Sequence, residues 1–241
     1  MNVAHHEHSP EAIKERLSAG PRHSYLRDWV YGGIDGAVTT FAVVAGVVGA
    51  QLSPKVILII GAANIIADGF SMAASNYLGT KTEHEELKRL EAIEHHHIDT
   101  IPEGEREEVR QIYKEKGFEG EDLERVVELI TSDRERWVRT MLTEEYGLPQ
   151  EVRSARLAAL STFSAFMICG LAPLIPFIFG MAHAFQLAAF LTGIVFFAIG
   201  SVKSLWSTIS WWRSGLTTLA LGSAAAALAY VVGLLLKGLA E

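Results

Sequence analysis

Residues 157–202 run for 46 positions without an Asp, Glu, Lys or Arg. A stretch that long and apolar leaves a chain few ways to fold. One bilayer-spanning helix needs ~20 mostly apolar residues, because lipid offers nothing to hydrogen-bond an open backbone group. The run is too long for one span, and "APLIPFIFG" (172–180) is read as the break between two. Three more segments qualify: about Tyr31–Leu52, interrupted by Asp35; about Val56–Gly79, interrupted by Asp68; and Ser214–Leu236, which has no charge. Strand signals are weak throughout. The expected fold is therefore an all-α integral membrane protein with five transmembrane helices.

The polar residues are gathered elsewhere. Residues 81–153 hold 21 of the 28 acids and 12 of the 21 bases, a net −9 that leaves +2 on the rest. Mean hydropathy is +0.22, high for a soluble domain and low for a chain wholly inside lipid. The organisation expected is an N-terminal arm (1–28), spans one and two (29–80), an acidic helical domain (81–153) and spans three to five (154–241). The arm, with His5, His6 and His8, is expected to be disordered. An acidic domain disfavours nucleic acid and favours cations. Cys169 is the only cysteine and lies in an apolar run, which excludes an intrachain disulfide or a thiolate-rich zinc site.

The acidic domain reads as three helices, with span two continuing as one helix to about His97. "TIPE" (100–103) is read as a capping box with Thr100 as the cap, and "SDRE" (132–135) as a second. The helices they open are expected to end at Gly117 and Gly147, with a shorter helix over about Glu121–Thr131. Lys14, Arg16, Arg22, Arg27, Lys203, Arg213 and the bases of 81–153 fall on one side of the five spans. Lys55 and Lys237 fall on the other. That asymmetry predicts a cytoplasmic N-terminus and a cytoplasmic 81–153 domain. The first 28 residues lack a signal-peptide core, and the moderate length and simple termini favour a prokaryotic plasma membrane over a vacuolar one.

A charged residue at the centre of a span costs roughly 2.5–3.5 kcal/mol on insertion scales. Asp35 and Asp68 are therefore expected to face protein or water. Asp35, Thr39, Ala42, Gly46 and Gly49 share one face of span one; Gly61, Asn64, Asp68, Met72 and Ser75 share one face of span two. Carboxylate, amide and thioether in one stripe suit passage of a divalent transition metal. The glycines and alanines are better explained by helix packing. In the acidic domain Glu91, Glu94 and His97 recur at i, i+3 and i+6, Glu105 and Glu108 at i, i+3, and Met141 and Glu145 at i, i+4. Folded together they would form a Glu/His/Met site for Fe²⁺, Mn²⁺, Co²⁺ or Zn²⁺. Taken alone, such interspersed charges more often mark a solvated helix.

Three stretches together resemble the vacuolar iron transporter family, also called the calcium-sensitive cross-complementer family. They are "GGIDGAVTTFAVVAGVVGA", "ADGFSMAASNYLGTKTEHE" and "GSVKSLWSTISWWRSGLTTLALGSAAAALAYVVG". The resemblance runs over nearly the whole chain from Asp28. It implies a homodimer with five spans per protomer in the membrane lipid, and a path between the first and second spans of both. It implies proton-coupled export of Fe²⁺ from the cytoplasm, with Mn²⁺ and related ions as alternative cargo, and a cytoplasmic domain that gathers ions first. By motif, the path residues would be Asp35 and Met72, and the domain ligands Glu94, Glu105, Glu108, Met141 and Glu145. Three positions depart from the pattern: His97 and Asn64 stand where familiar members have Glu, and Leu142 follows Met141 where a second Met can occur. Asp68, one turn after Asn64, relocates a carboxylate. The expected mechanism is alternating access, with protonation of the aspartates releasing the ion.

Two other readings compete. A membrane-tethered metal buffer or sensor would not need Asp35 or Asp68. A ferroxidase of the ferritin-like kind needs Glu-x-x-His pairs from facing helices, and residues 81–153 offer only Glu94–His97. The chain shows no nucleotide loop or catalytic triad, so neither an enzyme nor an organic cofactor is expected.

Overall fold

The computed structural model describes residues 7–18, 24–149 and 153–236, and these contain helices and no strand. His5, His6, Arg22 and Lys237 lie outside the described residues. The helices are α1 (Pro10–Ser18), α2 (Leu26–Gly49), α3 (Pro54–Thr100), α4 (Pro102–Glu115), α5 (Gly120–Thr131), α6 (Arg134–Glu144), α7 (Ala155–Leu171), α8 (Ile175–Ile178), α9 (Ala184–Lys203) and α10 (Trp211–Leu236). Short 3₁₀ turns at Ala172–Leu174 and Ser204–Trp206 join α7 to α8 and follow α9. Five helices are long and apolar enough to cross a membrane: α2, α3, α7 with α8, α9, and α10. The chain divides into two compact units, Met1–Tyr77 with Ala155–Glu241, and Leu78–Ser154.

In the first unit α2 is the central helix. Some 56% of its apolar window is buried, against 17% for α10, and α7, α9 and α10 pack around it. The closest approach is to α7. A Cβ on Gly32 or Gly36 would overlap the backbone carbonyls of Thr162 and Phe166, so glycine lets the two backbones touch. Phe41, Val44, Ala45, Ile57, Ile65 and Leu174 form one apolar core. Val30, Ala37, Cys169, Phe196 and Ile199 form another, which keeps the lone thiol out of reach of chemistry.

Two local expectations are corrected here, the disorder of the N-terminal arm and the two capping boxes. The segment "APLIPFIFG" does break the long apolar run: α7 ends at Leu171, and a 3₁₀ turn follows. Pro173 sits in a 3₁₀ turn and Pro176 in the first turn of α8, where a missing N–H costs little. The chain reverses later, between Gly180 and His183, both with φ near +58°. The N-terminal arm contains α1, opened by Ser9 Oγ accepting from Ala12 N–H at 3.3 Å. No residue of α1 is buried, so only local propensity and capping hold it.

Neither capping box forms as read. Thr100 ends α3, and its hydroxyl donates to the His96 carbonyl at 2.8 Å instead of capping α4. Ile101 occupies the cap position, with Pro102 opening the first turn. At α6 the cap is Asp133, whose carboxylate accepts from Arg136 N–H at 2.8 Å. Ser132 closes α5. Both cap assignments were displaced by one residue, which is the usual error of a motif read without backbone dihedrals.

In the second unit the end of α3 is followed by α4, α5 and α6. Val109, Leu123, Val127, Ile130, Trp137 and Met141 make its core. Gly117 and Gly147 lie past the ends of α4 and α6 at φ +92° and +64°, which is left-handed backbone that ends a helix cheaply only with glycine. Arg134 forks onto both Asp99 oxygens at 2.6 and 2.7 Å, and Arg110 bridges Glu124 and Glu107. These pairs are exposed, so solvent and salt screen them and they contribute little to stability.

Candidate metal centres

The second unit concentrates its chemistry at one point. Glu94 and His97, three apart on α3, present side chains to the first turn of α4, where Glu105 sits. One donor atom from each of the three lies within 4.8 Å of the others. His97 Nδ1 is 3.1 Å from Glu105 Oε1. Tyr146, just past α6, donates its hydroxyl to Glu94 Oε1 at 3.0 Å. The three donors therefore converge on one point, where an ion would draw them closer together.

Burial makes this cluster unusual. Glu94 is 0% and Glu105 2% exposed. Glu94 Oε2 and Glu105 Oε2 have no hydrogen-bond partner among the described residues. A buried, unpaired carboxylate oxygen is costly unless a proton or a cation satisfies it. A proton is favoured on Glu105: burial first, then the charges of Glu94 and Glu108, push its carboxyl up to about 8. Glu145 is raised as well, by burial and then by Glu108 and Glu94. Glu108 and Glu145 are exposed and sit within electrostatic reach at the rim.

Other residues singled out in the sequence fall elsewhere. Met141 is fully buried in the apolar core with Val109 and Trp137. Glu91 lines a separate cavity of about 230 Å³ beside Glu135 and Arg139. The "HHH" run is divided: His97 enters the cluster, while His95 accepts from Arg134 at 3.0 Å. Tyr146 was not foreseen. Its only sequence signal is its place next to Glu145, and its reach to Glu94 depends on how the chain leaves α6.

The Glu105 shift fixes a pH dependence. A carboxyl raised from its ordinary value of 4.5 to about 8 favours the folded, ion-free state below 4.5. That contribution is lost as pH rises through 8. An ion held at Glu105 would compete with this proton, so Mn²⁺ or Zn²⁺ should bind the full-length protein more tightly as pH rises toward 8. Binding at pH 7 should release about one proton from Glu105. Calorimetry in two buffers of different protonation enthalpy measures this directly, and heats independent of buffer would remove Glu105 from the ligand set.

The first unit holds a second constellation. Asp35 and Thr39 on α2 and Asn64, Asp68 and Met72 on α3 are all half-buried. Asn64 Nδ2 donates to Thr39 Oγ1 at 3.4 Å, and that hydroxyl donates to the Asp35 carbonyl at 2.8 Å. The Asn64–Thr39 bond thus ties the α2 face that carries Asp35 to the α3 face that carries Asp68. One turn beyond Met72, Asn76 Nδ2 donates to Asp28 Oδ1 at 2.9 Å and to Thr162 Oγ1 at 2.8 Å. Asp28 is 3% exposed. Asp28, Asn76 and Thr162 were missed, although the four-residue spacing from Asn64 through Asp68 and Met72 continues to Asn76. The glycines of the stripe do serve packing. Gly49 meets the backbone of α10 and Gly61 meets Leu174.

An all-helical chain with five membrane-length helices and clusters of acidic side chains is a multi-pass membrane protein built to handle cations. The sequence profile of the VIT family matches residues 26–234, and the chain belongs to that family. It is 32% identical to a vacuolar iron transporter of Toxoplasma gondii over 88% of this chain and 74% of the relative. It is 31% identical to vacuolar iron transporter 2 of Oryza sativa subsp. japonica over 91% and 89%. A vacuolar iron transporter of Plasmodium berghei is 28% identical over 96% and 89%. The family's members are transporters rather than enzymes, which sets the ferroxidase reading aside.

Proposed function

We propose that this protein carries Fe²⁺, with Mn²⁺, Co²⁺ or Zn²⁺ as alternative cargo, out of the cytoplasm in exchange for protons. The observation that carries the reading is the pair of membrane-helix carboxylates, Asp35 on α2 and Asp68 on α3, on helix faces that the Asn64–Thr39 hydrogen bond ties together within the first unit. Two acids held that way are stable when one is protonated or when a cation lies between them. Cation and proton therefore exclude one another, which is the requirement for exchange. Met72, one turn on, adds a thioether donor suited to a transition metal rather than Mg²⁺ or Ca²⁺.

The domain over 81–153 binds cargo at Glu94, His97 and Glu105, with Glu108 and Glu145 raising the local cation concentration. The N-terminus and this domain face the cytoplasm. The assembly is a homodimer, as the family resemblance implies, with the face of α3 that exposes Ile59, Ile66 and Phe70 within one protomer as its contact surface. The same exchange serves a plasma or a vacuolar membrane, since each separates the cytoplasm from a compartment able to hold protons.

The test is uptake of Fe²⁺ and of Mn²⁺ into liposomes bearing the full-length protein, with an acidic lumen and without. Uptake accelerated by the acidic lumen, and faster for Fe²⁺, is expected. Uptake indifferent to the gradient would end the proton-exchange reading. Metal bound by the protein with no uptake would favour a membrane-tethered buffer.

A further inference from the structure

The first unit has a cavity that neither carboxylate cluster uses. It lies between the start of α2 and the end of α9, with a volume of about 540 Å³. Two cations, Arg27 and Lys203, line it together with Val30, Tyr31, Trp206 and Ile209, and among the described residues no acid does. Among the described residues neither cation makes an ion pair with a carboxylate. The neighbouring acid, Asp28, is buried and bonded to Asn76. Arg27 rests over the Tyr31 ring at 5.4 Å, which holds the guanidinium in place without neutralising it. Tyr31, Trp206 and Ile209 are 54%, 62% and 54% exposed.

We propose that this cavity is a binding site for an anionic phospholipid. Both helices that form it are of membrane length and meet here at their ends, the level at which lipid headgroups lie. Tyrosine and tryptophan favour that level because one end of each ring is apolar and the other is wet. Two unpaired cations over an apolar cleft match a phosphate joined to an acyl chain. The Arg27 fork and the Lys203 ammonium take the phosphate oxygens, and the chain lies along Val30 and Ile209. A wholly apolar partner would leave two desolvated charges unpaired, and a free anion would leave the cleft unfilled.

The test uses the full-length protein in phosphatidylcholine vesicles titrated with phosphatidylglycerol bearing brominated acyl chains, read by quenching of tryptophan fluorescence. A saturable component is expected for phosphatidylglycerol and not for brominated phosphatidylcholine, and Trp206→Phe should remove most of it. Each of Arg27→Gln and Lys203→Gln should weaken the component about five-fold. The exchange Arg27→Lys with Lys203→Arg keeps both charges and should retain it, which separates lost recognition from lost folding. A titration curve unchanged from wild type in both glutamine variants, equal quenching by the two lipids, or full displacement by inorganic phosphate would overturn the proposal.

Discussion

Asp35→Asn should lower Fe²⁺ uptake into liposomes by roughly 100-fold or more while leaving the protein folded. The substitution keeps the shape of the side chain and removes its charge. The contacts around it are retained, because Thr39 donates to the Asp35 backbone carbonyl and not to its carboxylate, at 2.8 Å. What changes is the charge on the α2 face that the Asn64–Thr39 bond ties to the α3 face carrying Asp68. An ion resting between two carboxylates loses half of its compensating charge when one becomes an amide. Disturbing groups merely behind a metal's ligands already costs 10–100-fold, so a direct ligand belongs at or above the top of that range. Asp68→Asn should act in the same direction. Glu105→Gln should behave differently, weakening Mn²⁺ binding and abolishing its proton release while uptake recovers at high metal concentration. Equal uptake by Asp35→Asn and wild type would remove this pair from the path, whatever the domain over 81–153 binds.

That separation shows what a sequence can and cannot carry. The spans were legible because lipid imposes a length and a composition. Asp35 and Asp68 were legible as exceptions to it. Glu94 and His97 share a helix, so spacing alone aligned them. Glu105 joined them only through the turn at Ile101, which the capping motif misplaced by one residue. Met141 shows the limit of spacing. Its offset from Glu145 was right for a shared face, yet the structure sets its side chain in the apolar core with Val109. Asp28, Asn76 and Thr162 come from three helices, 48 and 86 positions from Asn76, and no local pattern joins them. The cavity beside Arg27 and Lys203 depends likewise on where two distant helix ends meet.

The largest expected effect on folding comes from the glycines of α2. Alanine is the better helix former by about 1 kcal/mol, so Gly→Ala inside a helix stabilises wherever there is room for a methyl group. Gly79 on α3 has nothing within 4 Å of the place a Cβ would take, and Gly79→Ala should raise stability by roughly 0.5–1 kcal/mol. At Gly36 the same methyl group would meet the Phe166 carbonyl and backbone of α7. A side chain could swing away, but a helix backbone must shift as a unit. α2 is held from its other sides by α9 and α10. Overpacking of this kind costs ~1–3 kcal/mol, and more when backbone must move, which exceeds the gain in helix propensity. Gly36→Ala should therefore destabilise by about 2 kcal/mol, and Gly36→Val should leave little folded protein. Thermal unfolding of the three variants in one detergent reads the result: a higher midpoint for Gly79→Ala and a lower one for Gly36→Ala. If both alanine variants moved the midpoint the same way, the close contact of α2 with α7 would not exist as described.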